Sequence, residues 1–239
     1  MGDGALLGNS DQTRWVWRGR LLGLARLAFG APLAAFAIAA SSSDPVDAHP
    51  HVWASVHSDV VFGPDDTIKA IRHTWTFDEF YSAMALQGLD TNGDGTYTKE
   101  ELEPLAEVNV TSLKDFDYFT FVSVGQDQVA LNEPSDAWIS EKDGIVTLHF
   151  TLVLPEPVSA KDHEVKIEVY DPSFFVAFGF AKEHPVKTVD AGAGCTIDIR
   201  IPGEDKDPDA LTEAFFSQLG PSSNYGSQFA QTAIATCSS

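Results

Sequence analysis

Residues 90–101, Asp-Thr-Asn-Gly-Asp-Gly-Thr-Tyr-Thr-Lys-Glu-Glu, place oxygen donors at the intervals a calcium ion needs. Calcium takes about six to eight oxygens from a flexible loop. Asp90, Asn92 and Asp94 stand at positions 1, 3 and 5 of an EF-hand loop, Gly95 permits the sharp turn at position 6, and the Thr96 carbonyl serves position 7. Thr98 falls at position 9, where a ligand often acts through water, and Glu101 at position 12 can bind through both oxygens. Tyr97 is expected to turn its ring inward or towards a partner loop. The bland alternative is a surface Asn-Gly/Asp-Gly turn that binds nothing; the run of matched positions between two helix-like segments favours the ion. Only one such loop occurs, so a structural calcium of weak affinity, on the order of 10⁻⁴–10⁻³ M, is expected.

His49-Pro50-His51 offers a second chemistry. A chain beginning at His49 would present an α-amine and an imidazole on one residue, and His51 would add a third nitrogen. Nitrogen sets of this kind suit nickel, zinc or copper rather than calcium. Pro50 has no amide proton, which blocks the square-planar amide-nitrogen mode and favours side-chain ligation. Hairpin pairing of the two strands that follow would bring His51 opposite Asp78 or Glu79, making Asp78 a candidate further ligand, and His57 near Arg72 or His73. A slip of one residue changes those partners. The alternative is an exposed, frayed terminus without a ligand. His73 shares an apolar face with Ile71 and Trp75 and reads as a packed core histidine, whereas His149, His163 and His184 are scattered. Ser173 sits in a strand-ending turn, and Phe174, Phe175, Phe178 and Phe180 read as core. No Gly-x-Ser-x-Gly elbow, phosphate loop, HExxH or CxxC is present.

The elements that must hold these residues alternate like strands. Residues 51–62 put Val52, Ala54, Val56, Val60 and Phe62 on one face, and Gly63-Pro64-Asp65-Asp66 turns the chain into a second strand at 68–75. Residues 77–89 and 99–108 are expected to be the helices flanking the calcium loop. Strands are expected near 117–124, 127–132, 136–140, 144–154, 163–171, 174–180 and 194–202, then helices at 208–218 and about 226–236. The predicted fold class is α+β: an antiparallel sheet or sandwich with a helical EF-hand insertion at about 77–109 and C-terminal helices.

Arg14, Arg18, Arg20 and Arg26 precede an apolar run, Leu27–Ala40, too short and proline-broken to span a bilayer well, so residues 1–48 are expected to be an export signal. Cleavage after Ala39 or Ala40, or after Ala48, satisfies the small-residue rule; an uncleaved N-terminal anchor is the alternative. Residues 49–239 then form a single domain, and no later segment is long enough to cross a membrane as a helix. The formal charge of −20 argues against nucleic-acid partners and draws cations to the surface. Two cysteines, Cys195 and Cys237, are expected to form a disulfide in an oxidising periplasm; free thiols or a thiol metal site are alternatives.

His-Pro-His-Val-Trp at 49–53, Thr74–Glu79, the loop Asp90–Glu101 with Leu102, and Tyr170-Asp171-Pro-Ser-Phe-Phe together resemble the bacterial periplasmic family called domain of unknown function 1007. The resemblance covers about 49–237. It implies a periplasmic component of a metal transport system, encoded beside nickel/cobalt-type transporters, and brings no catalytic residues with it. The expected function is therefore a periplasmic, non-enzymatic metal-binding accessory of a nickel-, cobalt- or zinc-type transporter with a structural calcium site. Two alternatives stand beside it: a calcium-stabilised envelope interaction module, and a copper-dependent enzyme using the N-terminal histidine.

Overall fold

The computed structural model describes residues 50–134, 136–161, 163–202 and 224–238. The expected signal at 1–48, His49 and the helix expected at 208–218 lie outside the described residues.

β1 (Val52–Phe62) buries Val52, Ala54, Val56, Val60 and Phe62, the alternation its sequence demands. A tight turn through Pro64–Asp66 returns the chain along β2 (Thr67–Phe77), which turns Ile71, His73, Trp75 and Phe77 inward. α1 (Glu79–Ala85) and α2 (Lys99–Leu113) follow, α2 running on through a 3-10 stretch at Lys114–Phe119. The remaining strands are β3 (Thr120–Val124), β4 (Asp127–Val129), β5 (Trp138–Lys142), β6 (Ile145–Ser159), β7 (Val165–Val169), β8 (Val176–Phe180), β9 (Val186–Val189), β10 (Cys195–Arg200) and β11 (Thr232–Cys237).

They form two sheets. The first runs β5-β6-β2-β1-β8, with β9 also pairing with β1; the second runs β10-β11-β7-β3-β4. Val60, Phe62, Ile68 and Ile71 of the first sheet meet Val122, Val165, Ile167 and Ala233 of the second in one apolar cluster. The rest of the first sheet's inner face, including Trp75, Leu148 and Phe150, packs on Leu86, Leu102 and Ala106 from the helical segment. Burying these large side chains is the main stabilising term, at about 1.5–3 kcal/mol each.

The α+β expectation is corrected by these elements. Strand takes 46% of the described residues and helical turns of all kinds 22%, so the protein is mostly β. The expected EF-hand insertion is not a feature of the fold. α1 ends at Ala85, where Leu86 buries and Gly88 takes a left-handed φ of 77°, well before Asp90. α1 then packs on β6 and α2 on β5, so each helix covers the sheet instead of forming an independent helix pair. The expected C-terminal helix is also replaced. Tyr225–Phe229 is a 3-10 turn, and Thr232–Cys237 is a strand held between β10 and β7. Its alanines favour helix locally, but Ala233, Ile234 and Ala235 gain full burial as a central strand. Nor is the first sheet antiparallel throughout, since β8 and β9 both run parallel to β1.

Candidate metal centre

The loop after α1 is wrapped by its own amides. The Asp90 carboxylate accepts from Gly93 N at 2.7 Å, Asp94 N at 3.2 Å and Gly95 N at 3.0 Å, which winds the chain around residue 90. Gly93 and Gly95 have φ of 73° and 79°, a region costly for residues with a Cβ. Asn92 Oδ1 accepts from Asp94 N at 2.8 Å, and Asp94 Oδ1 from Thr96 N at 2.8 Å. Glu101 spans the two ends: Oε1 accepts from Thr91 N at 2.9 Å and Oε2 from Thr98 N at 3.0 Å. Thr98 and Glu101 complete a reciprocal capping box, so the loop's last ligand position is also the first turn of α2.

These donors favour the ionised forms of Glu101 and Asp94. Hydrogen bonds from Thr98 and Thr91 bring Glu101 down to about 2, and those from Thr96 lower Asp94. A carboxylate offers about four lone-pair sites: Asp94 keeps both on Oδ2 and Asp90 keeps one, while Glu101 already accepts from the amides and hydroxyls of both Thr91 and Thr98 and would exchange some of these bonds for a cation. The donor set consists of oxygen alone, which fits calcium and suits softer metals poorly. Tyr97 is half-buried against the core cluster and anchors the loop from within. Among the described residues, the group of three His, Cys, Asp or Glu ligand atoms within 4.8 Å of one another is Asp66 with Cys195 and Cys237. Both sulfurs there are spent on a disulfide. The loop carboxylates stand wider apart than that, each held on loop amides.

The histidine end is arranged differently. His51 donates its amide to Phe175 O at 2.9 Å, and its ring stacks on Phe175 at 4.6 Å. Asp78 Oδ1 accepts from Tyr81 N at 2.9 Å, capping α1, while Oδ2 accepts from Trp53 N at 2.8 Å. Both Asp78 oxygens are thus engaged by backbone. The register explains the change from expectation: a bulge between Val61 and Phe62 shifts the β1–β2 ladder by one residue, so Ala54 faces Phe77 and His57 faces Thr74. The ring of His57 lies 3.2 Å from His184 O through Nδ1. His73 is fully buried, with Nδ1 2.9 Å from Ser58 Oγ and Nε2 3.2 Å from Thr120 Oγ1.

One constellation carried no signal in the sequence. His149 on β6 stacks flat on Trp138 of β5, with centroids 3.8 Å apart and planes 8° from parallel. Its Nε2 lies 2.9 Å from Ser140 Oγ, and beside it Thr151 binds Asp136 through both N and Oγ1, at 3.0 and 2.8 Å. Each member is ordinary alone, and only the β5–β6 register brings them together.

A family model described as protein of unknown function, DUF1007, matches residues 34–237. This chain belongs to that family. Among similar proteins, an uncharacterised 15.5 kDa protein in the trpE 3' region of Spirochaeta aurantia is 33% identical over 107 residues, spanning 44% of this chain and 76% of its own length. An uncharacterised protein of Haemophilus influenzae is 21% identical over 193 residues, spanning 80% of this chain and 91% of its own. DUF1007 membership therefore establishes kinship without a described activity.

Proposed function

We propose that this protein is an exported metal-binding accessory of a transition-metal transport system, with calcium held in the Asp90–Glu101 loop as a structural brace. The observation that carries the calcium part is the oxygen-only donor set, wound by loop amides and tied by Glu101 to the start of α2. Drawing the three carboxylates inward onto an ion would fix the loop and the first turn of α2 together. The transport part rests on family resemblance and on the nitrogen set of His49 and His51, to which nickel, zinc or copper would bind.

Melting the purified protein with calcium and with chelator tests the brace. At a calcium concentration of about 100 times Kd, ligand linkage supplies about 2.7 kcal/mol. For a chain of this size that corresponds to a rise in Tm of about 5–10 °C. Asp90→Ala is expected to melt like the chelated wild type, and coincident wild-type curves with and without calcium would remove the site. N-terminal sequencing of the exported protein together with metal analysis tests the transport part. An N-terminal extension that leaves nickel, zinc and copper stoichiometry unchanged would sink it.

One observation favours a second reading. Asp78 is engaged as a helix cap and a strand tie, so the transition-metal set would have to disrupt a structural contact to recruit it. On that reading the chain is a calcium-stabilised envelope interaction module, and transition metals have no specific effect on its melting.

A further inference from the structure

The turn between β1 and β2 meets the paired ends of β10 and β11 at one corner of the two sheets. There a carboxylate oxygen of Asp66 and the sulfurs of Cys195 and Cys237 all lie within 4.8 Å of one another. In the oxidised chain the sulfurs are joined, but the shape of the corner does not depend on that bond. Cys195 donates its amide to Gly192 O at 3.1 Å and Cys237 to Ala160 O at 2.7 Å. The two cysteines therefore face each other across the ladder without exchanging hydrogen bonds, the kind of pair whose side chains stand nearest. Ala160 in turn donates its amide to Asp66 O at 3.3 Å. The Asp66 carboxylate accepts from Gly192 N at 3.1 Å through Oδ1, and Lys161 Nζ meets its Oδ2 at 3.2 Å. A Cβ on residue 192 would stand 2.3 Å from Oδ1, so glycine there lets the carboxylate reach this place. Cys237 is buried, and Cys195 sits half-buried on the same apolar cluster.

Opening the disulfide turns this corner into a ligand set. A dithiol reductant supplies two electrons and two protons and becomes a disulfide itself, while the Sγ–Sγ bond breaks and two thiols form. A divalent cation then displaces both thiol protons to solvent. Two Zn–S bonds of about 2.3 Å at the tetrahedral angle set the sulfurs about 3.8 Å apart. A directly facing cross-strand pair reaches that spacing by small side-chain rotations. Each Asp66 oxygen keeps a lone pair beyond its present partner. Two thiolates and one carboxylate carry three negative charges, which Zn²⁺ and the Lys161 ammonium together offset. Sulfur in the majority selects a thiophilic ion over calcium. We infer that Asp66, Cys195 and Cys237, in the dithiol form of the chain, bind a thiophilic divalent cation such as zinc, and that the disulfide closes this site. Three protein ligands leave a fourth position for water or an incoming ligand, which makes the ion exchangeable. Neither the acidic loop nor His49 and His51 enters it, so it stands apart from the function proposed above.

Cadmium is the probe, because its thiolate complexes absorb in the ultraviolet where its oxygen and imidazole complexes do not. The purified protein is reduced by a phosphine, freed of it under argon, and titrated with Cd²⁺ while excess Ca²⁺ occupies oxygen sites. A band saturating at one Cd²⁺ per chain and competed away by Zn²⁺ is expected, with none in the oxidised protein. Cys195→Ser and Cys237→Ser should each lower it by half or more. Asp66→Asn keeps an acceptor for Gly192 but removes the charge, and should weaken Cd²⁺ by at least about tenfold while the band remains. Should that variant misfold, the two serine variants decide. Circular dichroism of the reduced protein is expected to keep its sheet signal. Loss of that signal on reduction, no saturable band, a band unchanged in the serine variants, or an affinity unmoved in folded Asp66→Asn overturns the assignment.

Discussion

His73 shows how one buried side chain can govern pH behaviour. It joins β1 to β3 through Ser58 and Thr120, and the Thr120 hydroxyl donates to Tyr118 O at 2.9 Å. With that proton committed, Thr120 can only accept from His73, so Nε2 carries the ring proton and Nδ1 accepts from Ser58. The imidazole is therefore neutral in place, and burial pushes its pKa down to about 3. The sign follows from linkage: the unfolded histidine gains a proton near pH 6.5 while the folded one resists, so stability is full above pH 6.5 and falls as pH drops towards 3. Between pH 8 and pH 5 the loss from this one group is about 2 kcal/mol. Urea unfolding at the two pH values should show it, and His73→Leu, although less stable overall, should flatten the difference. An unchanged pH slope in the variant would assign the effect to other groups.

Asp78 acts at the scale of elements, where β1, β2 and α1 meet. Its carboxylate caps α1 and closes the open end of the β1–β2 ladder at Trp53. Asp78→Ala should cost about 1–2 kcal/mol, the usual worth of an N-cap with an added strand contact. A Tm unchanged by the substitution would show that the cap is dispensable. Much of this region was legible from the chain alone. The alternation in 51–62 and 68–75 specifies a half-buried hairpin, and Gly95 specifies the sharp turn inside 90–101, where its φ is 79°. The Val61/Phe62 bulge was not legible, because nothing in two apolar neighbours announces an extra residue, and it displaced each expected cross-strand partner. β11 was lost to alanine's helical preference, and β9 is too short and polar to show a period. The Trp138–His149 stack depends on pairing between strands, which local pattern cannot report. Among the described residues, the outer edge of β8 is met by side chains: Asp171 accepts from Val176 N at 3.0 Å and Gln231 from Phe180 N at 2.6 Å. Those two contacts occupy edge amides that a further strand would need.

At the scale of the whole molecule, two braces hold separate parts of a strongly acidic chain. The loop at Asp90–Glu101 is tied within itself and to α2 on the first sheet, while Cys195–Cys237 joins directly paired residues of β10 and β11 in the second. The bridge closes 42 residues of chain. Loop-closure entropy for that span predicts about 4 kcal/mol of stabilisation, with strain and residual unfolded structure able to reduce it. Replacing both cysteines with serine should therefore lower Tm by about 10 °C in a domain of this size. Chemical reduction of the wild type should match the double substitution. Because the bridge and the loop share no hydrogen-bond partner, their effects should add. Asp90→Ala measured with calcium present should cost the same in the bridged and bridgeless proteins, within about 0.5 kcal/mol. A coupling well beyond that would mean the proposed calcium brace is felt across both sheets, as expected if the shared core through Trp75 and Phe119, and not the local ladder, transmits the order of the loop.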